Sequence, residues 1–291
     1  MILERTTQRS AERESRLGTG ATAALLASPL VLVLAALLIV PLLALVGRSL
    51  GAPGGAGWSL TSYAAAVGEP RYWRALATTT ALAASSTLGA LLLCTPAALY
   101  IEGRSGRAGR ILAVLLTVPL SLPGIVIGFF VILFLGRTGV VTRAVEAAAG
   151  DITAPAYGFW GMLLGYIYFQ IPRVVLVLRG AVAAIDPDLL DAARTLGAPP
   201  WRVYTAVILP MLRPALIGAA SLSVATAFGA YGTAATLSRS ERVLPLEIAA
   251  AFTERFTPEL AAALSVLLAL LTGALLAAMN SLLREQRRSA R

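Results

Sequence analysis

Few side chains in this 291-residue sequence could do covalent chemistry, and those few lack the partners they would need. There is no His, so no His-based zinc site, metalloprotease helix motif or Ser-His-Asp triad can be built. There is no Lys, which excludes the phosphate-gripping loop that ends in Gly-Lys-Ser/Thr. Any nucleotide hydrolysis must come from another polypeptide. The single Cys94 allows no internal disulfide, and within its apolar run it reads as a small hydrophobe. The polar residues that do fall into patterns serve shape rather than catalysis.

The clearest pattern lies between residues 186 and 210. Asp186-Pro187-Asp188 supplies an N-cap, a proline at the first helical position and acid in the first turn. A short helix follows through Leu189, Leu190, Ala192, Ala193 and Leu196, and Gly197 is placed as its left-handed stop. Pro199-Pro200 starts a second short helix through Trp201, Val203 and Tyr204, and Pro210 is expected to break it. Two readings stand on pattern alone: a knob of two angled helices, or an amphipathic hairpin lying on a membrane surface.

Two other segments interrupt apolar runs. Pro119-Leu120-Ser121-Leu122-Pro123-Gly124 should break or kink its helix. Phe228-Gly229-Ala230-Tyr231-Gly232-Thr233 sets small residues beside an aromatic, which suits close packing at a gate. Ser121, Pro123, Gly229 and Tyr231 are therefore candidates to line a pathway, with plain helix packing through small residues as the competing reading. Arg173 could attract an anion, although snorkelling toward nearby headgroups explains it more simply.

What must position these residues is a membrane bundle. Charged residues make up 13% of the chain, about half of the roughly 25% that a soluble surface carries. Charge-free stretches run over 17–47, 75–101, 111–136, 152–172, 214–238 and 260–283. Each reaches the roughly 20 residues needed to cross a hydrocarbon core. The expected helices are 23–47, 75–101, 111–136, 156–178, 214–238 and 260–283, with Arg173 and Arg179 at the inner end of the fourth. A seventh gap, 49–68, is rich in Gly and Pro and reads as an exposed loop with Trp58 and Tyr63 near an interface. The apolar run after residue 22 is too long for a signal-peptide core, so it is expected to be a retained first span. Residues 1–22 form an N-terminal segment, of which 1–16 is either helical or poorly ordered, and 284–291 form a tail.

Arginine placement orients the bundle. Sixteen arginines fall in the N-terminal segment, the 102–110 loop, the 173–213 segment and the tail, against eight in the other loops. This bias puts both termini and the 186–210 loop in the cytoplasm. The net charge of +9 would suit nucleic acid in a soluble protein, but here the arginines sit between apolar runs and act as anchors.

The stretch Asp191-Ala192-Ala193-Arg194-Thr195-Leu196-Gly197, then nine residues, then Val207-Ile208-Leu209-Pro210, resembles the EAA loop of bacterial ABC importer permeases. That pattern reads Glu-Ala-Ala, three residues, Gly, nine residues, Ile, one residue, Leu-Pro. Asp191 stands for the Glu and Val207 for the Ile. Glu146-Ala147-Ala148 also spells the triplet, but Gly150 comes too early and no Leu-Pro follows.

The resemblance implies an all-α integral membrane protein with six transmembrane helices, a type I importer domain over 74–283, and a cytoplasmic coupling loop at 186–210. Asp191, Ala192, Ala193, Gly197, Leu209 and Pro210 would be the residues that engage a separate ATPase. The first span would wrap around a second permease subunit, the same chain or a homologous one. An ABC ATPase dimer and an extracytoplasmic solute-binding protein would complete the assembly in the bacterial plasma membrane. ATP and Mg would be bound by the ATPase, with no catalytic residue, metal or other cofactor on this chain. A proton-driven carrier needs intramembrane carboxylates or histidines, which the spans lack; a sodium-coupled carrier or a channel is the alternative class. Leu122–Gly128 and Leu135–Gly139 are similar to permeases for polyamines, aminoethylphosphonate, iron(III), thiamine, molybdate and sulfate. The expected solute is a polyamine, aminoethylphosphonate or a small inorganic ion.

Overall fold

A backbone in hydrocarbon finds no water to bond, so long apolar runs settle as helices that satisfy themselves. The structure, a computed structural model, describes residues 27–52, 57–102, 109, 111, 114–116, 118–150, 155–239 and 241–289. The expected segment 1–22 lies outside them. Among the described residues the helices are α1 (Ala27–Ser49), α2 (Thr61–Gly68), α3 (Pro70–Glu102), α4 (Gly124–Leu135), α5 (Val140–Ala149) and α6 (Phe159–Ala183). They continue with α7 (Pro187–Thr195), α8 (Pro200–Val203), α9 (Leu209–Phe228), α10 (Gly232–Leu237), α11 (Leu244–Thr253) and α12 (Pro258–Ser289). Six stretches are long and apolar enough to cross a membrane: α1, α3, Gly124–Ala148, α6, Pro200–Phe228 and Pro258–Ser281. The six-span, all-helical architecture expected from the sequence is the one observed.

Several boundaries differ from expectation. The third span does not run from 111 to 136: a 3-10 turn at Val118–Ser121 and a non-helical Leu122-Pro123 precede α4. Pro123 cannot continue a helix, and it instead caps the new one. The gap at 49–68 is not all loop, because Ala-rich α2 forms there and seats Ala66 against α3, α11 and α12. The fourth span extends past 178 to Ala183, enclosing both Arg173 and Arg179.

The largest revision concerns Pro210. It does not break the chain. A π-turn at Tyr204–Ile208 joins α8 to α9, and the Leu209 N–H bonds back five residues to the Tyr204 carbonyl. The widened turn gives the proline ring room and removes the four-residue register in which its missing N–H would count. Pro200–Phe228 is therefore one rod of 29 residues, about 43 Å long at 1.5 Å per residue.

Helices α3, α6 and α9 form the centre. One apolar cluster joins Leu82 and Ala83 of α3, Met162 and Tyr166 of α6, and Val224, Ala227 and Phe228 of α9. A second joins Ala90, Cys94 and Ala98 of α3, Val174, Val175 and Leu178 of α6, and Ala219 of α9. The order of these residues makes α3 and α6 parallel and α9 antiparallel to both. Lipid tails are as apolar as Leu, so these contacts hold through close packing, which the alanines permit. Between the clusters the Gln170 amide donates to the Ser86 hydroxyl at 2.9 Å, both residues buried, and this bond fixes the register of α3 on α6. Cys94 is buried in the second cluster, as a small hydrophobe should be.

The end of the bundle that holds α11 is pinned by charge. The Glu247 carboxylate is 3% exposed and meets three guanidiniums: Arg255 at 3.2 Å, Arg242 at 3.5 Å and Arg71 at 3.9 Å. Arg255 also donates to the Glu247 carbonyl, and Thr79 of α3 accepts from the Leu244 N–H at 2.8 Å. Removing one partner of a buried pair leaves uncompensated charge, although the exposure of Arg71 and Arg242 softens the penalty here. Glu247→Gln should cost about 1–3 kcal/mol. In detergent the thermal midpoint should fall by roughly 5 °C, whereas Glu254→Gln, on an exposed residue, should leave it unchanged.

Candidate functional site

Two features stand out as machinery: an exposed knob at the α7 end, and a junction of two broken helices inside the bundle. The knob begins where the Asp186 carboxylate accepts the Asp188 N–H at 3.0 Å, with Pro187 at the first helical position. It ends at Gly197, whose φ of +76° lies in the left-handed region. The Ala198 N–H bonds to the Ala193 carbonyl and the Gly197 N–H to the Arg194 carbonyl, which is the paired closure of a Schellman motif. A side chain at Gly197 would meet no neighbour, so the demand for glycine there is conformational.

None of the α7 residues is buried. Asp191 and Ala192 are exposed and Ala193 is half-buried, with Asp191 paired to Arg194 at 3.0 Å. That pair is exposed on both sides and adds little. Leu196 is 87% exposed and Trp201 63% exposed, so the knob carries uncovered apolar surface. Leu209 is half-buried and Pro210 exposed, and both belong to the long rod rather than to the knob. The structure thus gathers Asp191, Ala192, Ala193 and Gly197 at one tip and sets Leu209-Pro210 below it, on the helix that the knob is built into.

In the junction, α9 ends at Phe228 and α10 restarts at Gly232, while α4 starts at Gly124 after its own break. The two restarts meet. A Cβ on Gly232 would lie 3.0 Å from the Ile125 N, and one on Gly124 would lie 3.2 Å from the Thr233 N. A Cβ on Gly128 would collide with the Thr236 side chain. Side-chain donors tie the two breaks down: Thr233 Oγ1 donates to the Gly124 carbonyl in the first turn of α4 at 3.0 Å, and the Tyr166 hydroxyl donates at 2.9 Å to the Ala230 carbonyl, which lies in the break between α9 and α10. Of the four pathway candidates, Pro123 and Tyr231 are the residues just ahead of the two apposed helix starts. Gly229 caps α9 and Ser121 ends the 3-10 turn, and all four are exposed.

The sequence reading placed Arg173 near the inner end of its span, and the structure moves it. Residue 171 is the midpoint of α6, so Arg173 lies two residues beyond the middle. Its guanidinium does not reach toward the nearer end. It bends back one turn, where Nη1 donates to the Phe169 carbonyl at 2.8 Å and the group stacks 4.1 Å from the Phe169 ring centroid. Pro172, just ahead of Arg173 in the continuous helix, has no N–H to give the adjacent Tyr168 carbonyl. By contrast Arg179, nearer the α7 end, is bound to Glu102.

Sequence reasoning placed Thr233 in the fifth-span segment but gave no individual role to it, to Tyr166 or to Glu247. Nothing in a single sequence marks which hydroxyl will reach a freed carbonyl 64 residues away. Glu247 did carry a signal, a lone acid in the apolar run Leu244-Pro245-Leu246-Glu247-Ile248, flanked by Arg242 and Arg255.

Comparison with known proteins places these features in context. Residues 94–288 match the family model described as binding-protein-dependent transport system inner membrane component. The molybdenum transport system permease protein ModB of Mycobacterium tuberculosis is 35% identical over 72% of this chain and 82% of its own length. The thiamine transport system permease protein ThiP of Brucella suis is 30% identical over 64% of this chain and 34% of its own length. The fold is similar to that in the crystal structure of a bacterial alginate ABC transporter in complex with alginate pentasaccharide-bound periplasmic protein. There the TM-score is 0.78 at 17% identity, covering 93% of this chain and 98% of that one.

The junction makes a sharp prediction about two glycines. Gly218 lies in α9 with open space around it, so Gly218→Ala should be neutral or slightly stabilising, by up to about 1 kcal/mol. Gly232→Ala pushes a methyl against the α4 backbone and should lower the thermal midpoint measurably. Equal midpoints for the two variants would show that the restarts do not touch.

Proposed function

This chain belongs to the family of binding-protein-dependent transport system inner membrane components, and from that premise we propose that it forms one half of the translocation pathway of an ATP-driven importer for a molybdate-like oxyanion. The chain is a multi-pass inner membrane transport subunit. The finer reading adds an ATPase at the α7 knob, a second permease subunit alongside α1, a solute-binding protein on the far side, and both termini in the cytoplasm. ATP and Mg would sit in the ATPase.

The observation that carries the reading is the knob itself. Its backbone is fixed by an N-cap and a Schellman closure, yet its apolar side chains at Leu196 and Trp201 are uncovered. A preorganised, uncovered tip suits insertion into a partner's groove, because little conformational freedom is lost on binding. The rod from Pro200 to Phe228 then gives the tip a lever. Closure of the ATPase dimer on ATP would draw the knobs together, tilt the rods and shift the α4–α10 junction at their far ends. The first span supports a second subunit, since its apolar window is wholly unburied within this chain.

The earlier preference for a polyamine or phosphonate gives way to molybdate. The relative with the greater coverage is named for molybdenum, and the thiamine relative offers the second candidate. Polyamines and thiamine are cations, which an intramembrane carboxylate would favour. Among the described spans the carboxylate away from the α11 end is Glu102, which Arg179 already holds. An anion fits this lining better.

Gly197→Val strains the left-handed stop by roughly 1–2 kcal/mol, too little to prevent insertion of six spans. Ala192→Arg puts bulk and charge on the tip. Both variants should reach the membrane at normal levels, retain less ATPase on co-purification and lose solute uptake by an order of magnitude. Normal uptake and normal ATPase retention in both would remove the coupling role from the knob.

A further inference from the structure

We infer that Arg173 is an anion-recognition residue, holding the transported oxyanion in mid-membrane on its way past α6. The inference rests on the oxyanion reading above and adds the side chain that would meet the solute. Three observations converge on it. Arg173 sits two residues beyond the middle of α6, and its guanidinium turns toward the centre of the span instead of toward headgroups. An ionisable group so placed is costly and implies a partner. Among the described residues no carboxylate pairs with it, and Glu102, the acid on the same half of the bundle, is bound to Arg179.

The third observation is the face on which it lies. Residues 169, 173, 176 and 180 follow helical spacing along α6, with Phe169 and Arg173 half-buried and Leu176 and Gly180 exposed. The remaining faces of α6 are packed in the two apolar clusters or line an apolar groove against α4, through Leu164, Ile167, Tyr168 and Ile171. The one cation in the middle of the helix thus faces away from this chain's own core. Phe169 orients it: the carbonyl takes one N–H and the ring supports the flat face of the guanidinium. Its remaining donors form the planar fork that matches two oxygens of a tetrahedral dianion.

The test uses the whole importer, this chain with its ATPase and binding protein, in proteoliposomes supplied with molybdate. Arg173→Gln should cut uptake at least tenfold while ATP hydrolysis stimulated by the loaded binding protein stays within twofold of the parent. Arg173→Lys should fall between, since it keeps the charge and loses the fork. Uptake by Arg173→Gln within twofold of the parent overturns the proposal and leaves the oxyanion reading standing. Equal loss of uptake and of stimulated hydrolysis in both variants assigns Arg173 a structural role and also overturns it. A parent complex that moves a different solute and no tetrahedral oxyanion overturns both readings together. An Arg173→Gln defect that appears in anionic phosphatidylglycerol vesicles and vanishes in zwitterionic phosphatidylcholine ones would give the guanidinium to an anionic headgroup, again against the proposal; a defect of equal size in both supports it.

Discussion

A carbonyl or N–H left open in lipid costs several kcal/mol, and this bundle carries two breaks, one just before α4 and one between α9 and α10. Everything near the junction follows from closing that debt. The α4 and α10 starts approach until Gly124 and Gly232 leave no space for a Cβ. Thr233 then reaches the Gly124 carbonyl and Tyr166 reaches the Ala230 carbonyl. Tyr166 is itself fixed within the α3–α6–α9 cluster, so the core holds the junction as well as the helices. Irregular backbone is tolerated here because side-chain hydroxyls of neighbouring helices bond to its carbonyls.

The two ends of the molecule are built to opposite specifications. At the α11 end, Glu247 gathers Arg71, Arg242 and Arg255, and the start of α3 is tied to α11 through Thr79. At the α7 end the tip is rigid within itself but carries no buried side chain. The π-turn joins that tip to α9 without a hinge at Pro210. In the proposed reading, force applied at the knob is delivered to the break at Gly229–Tyr231, where α9 ends, and the pinned end gives the motion something to act against.

Much of this was legible in the sequence. Charge-free runs revealed six spans because the bilayer imposes a length and a composition that no soluble helix needs. The knob was readable at single-residue level: Asp186, Pro187 and Gly197 have positional chemistries that depend on nearest neighbours alone. Pro210 misled because a π-turn has no sequence signature and removes the penalty that would make proline a breaker. Arg173 misled for a related reason, since its depth depends on where α6 ends, and Arg179 inside the helix hid that boundary until Glu102 supplied its counter-ion. The Tyr166 and Thr233 bonds join positions 64 and 109 residues from their acceptors, beyond the reach of any local pattern.

The central claim is that the α7 tip is the contact through which a separate ATPase drives the bundle. Its most direct test is a photo-cross-linking residue at Leu196, the most exposed apolar side chain of the tip, activated in native membranes. The account predicts one dominant protein adduct, a nucleotide-binding subunit, formed from the cytoplasmic side and changing in yield when ATP is added. Adducts confined to lipid would make the tip a surface hairpin, and adducts to a solute-binding protein would reverse the orientation; either result would contradict the account.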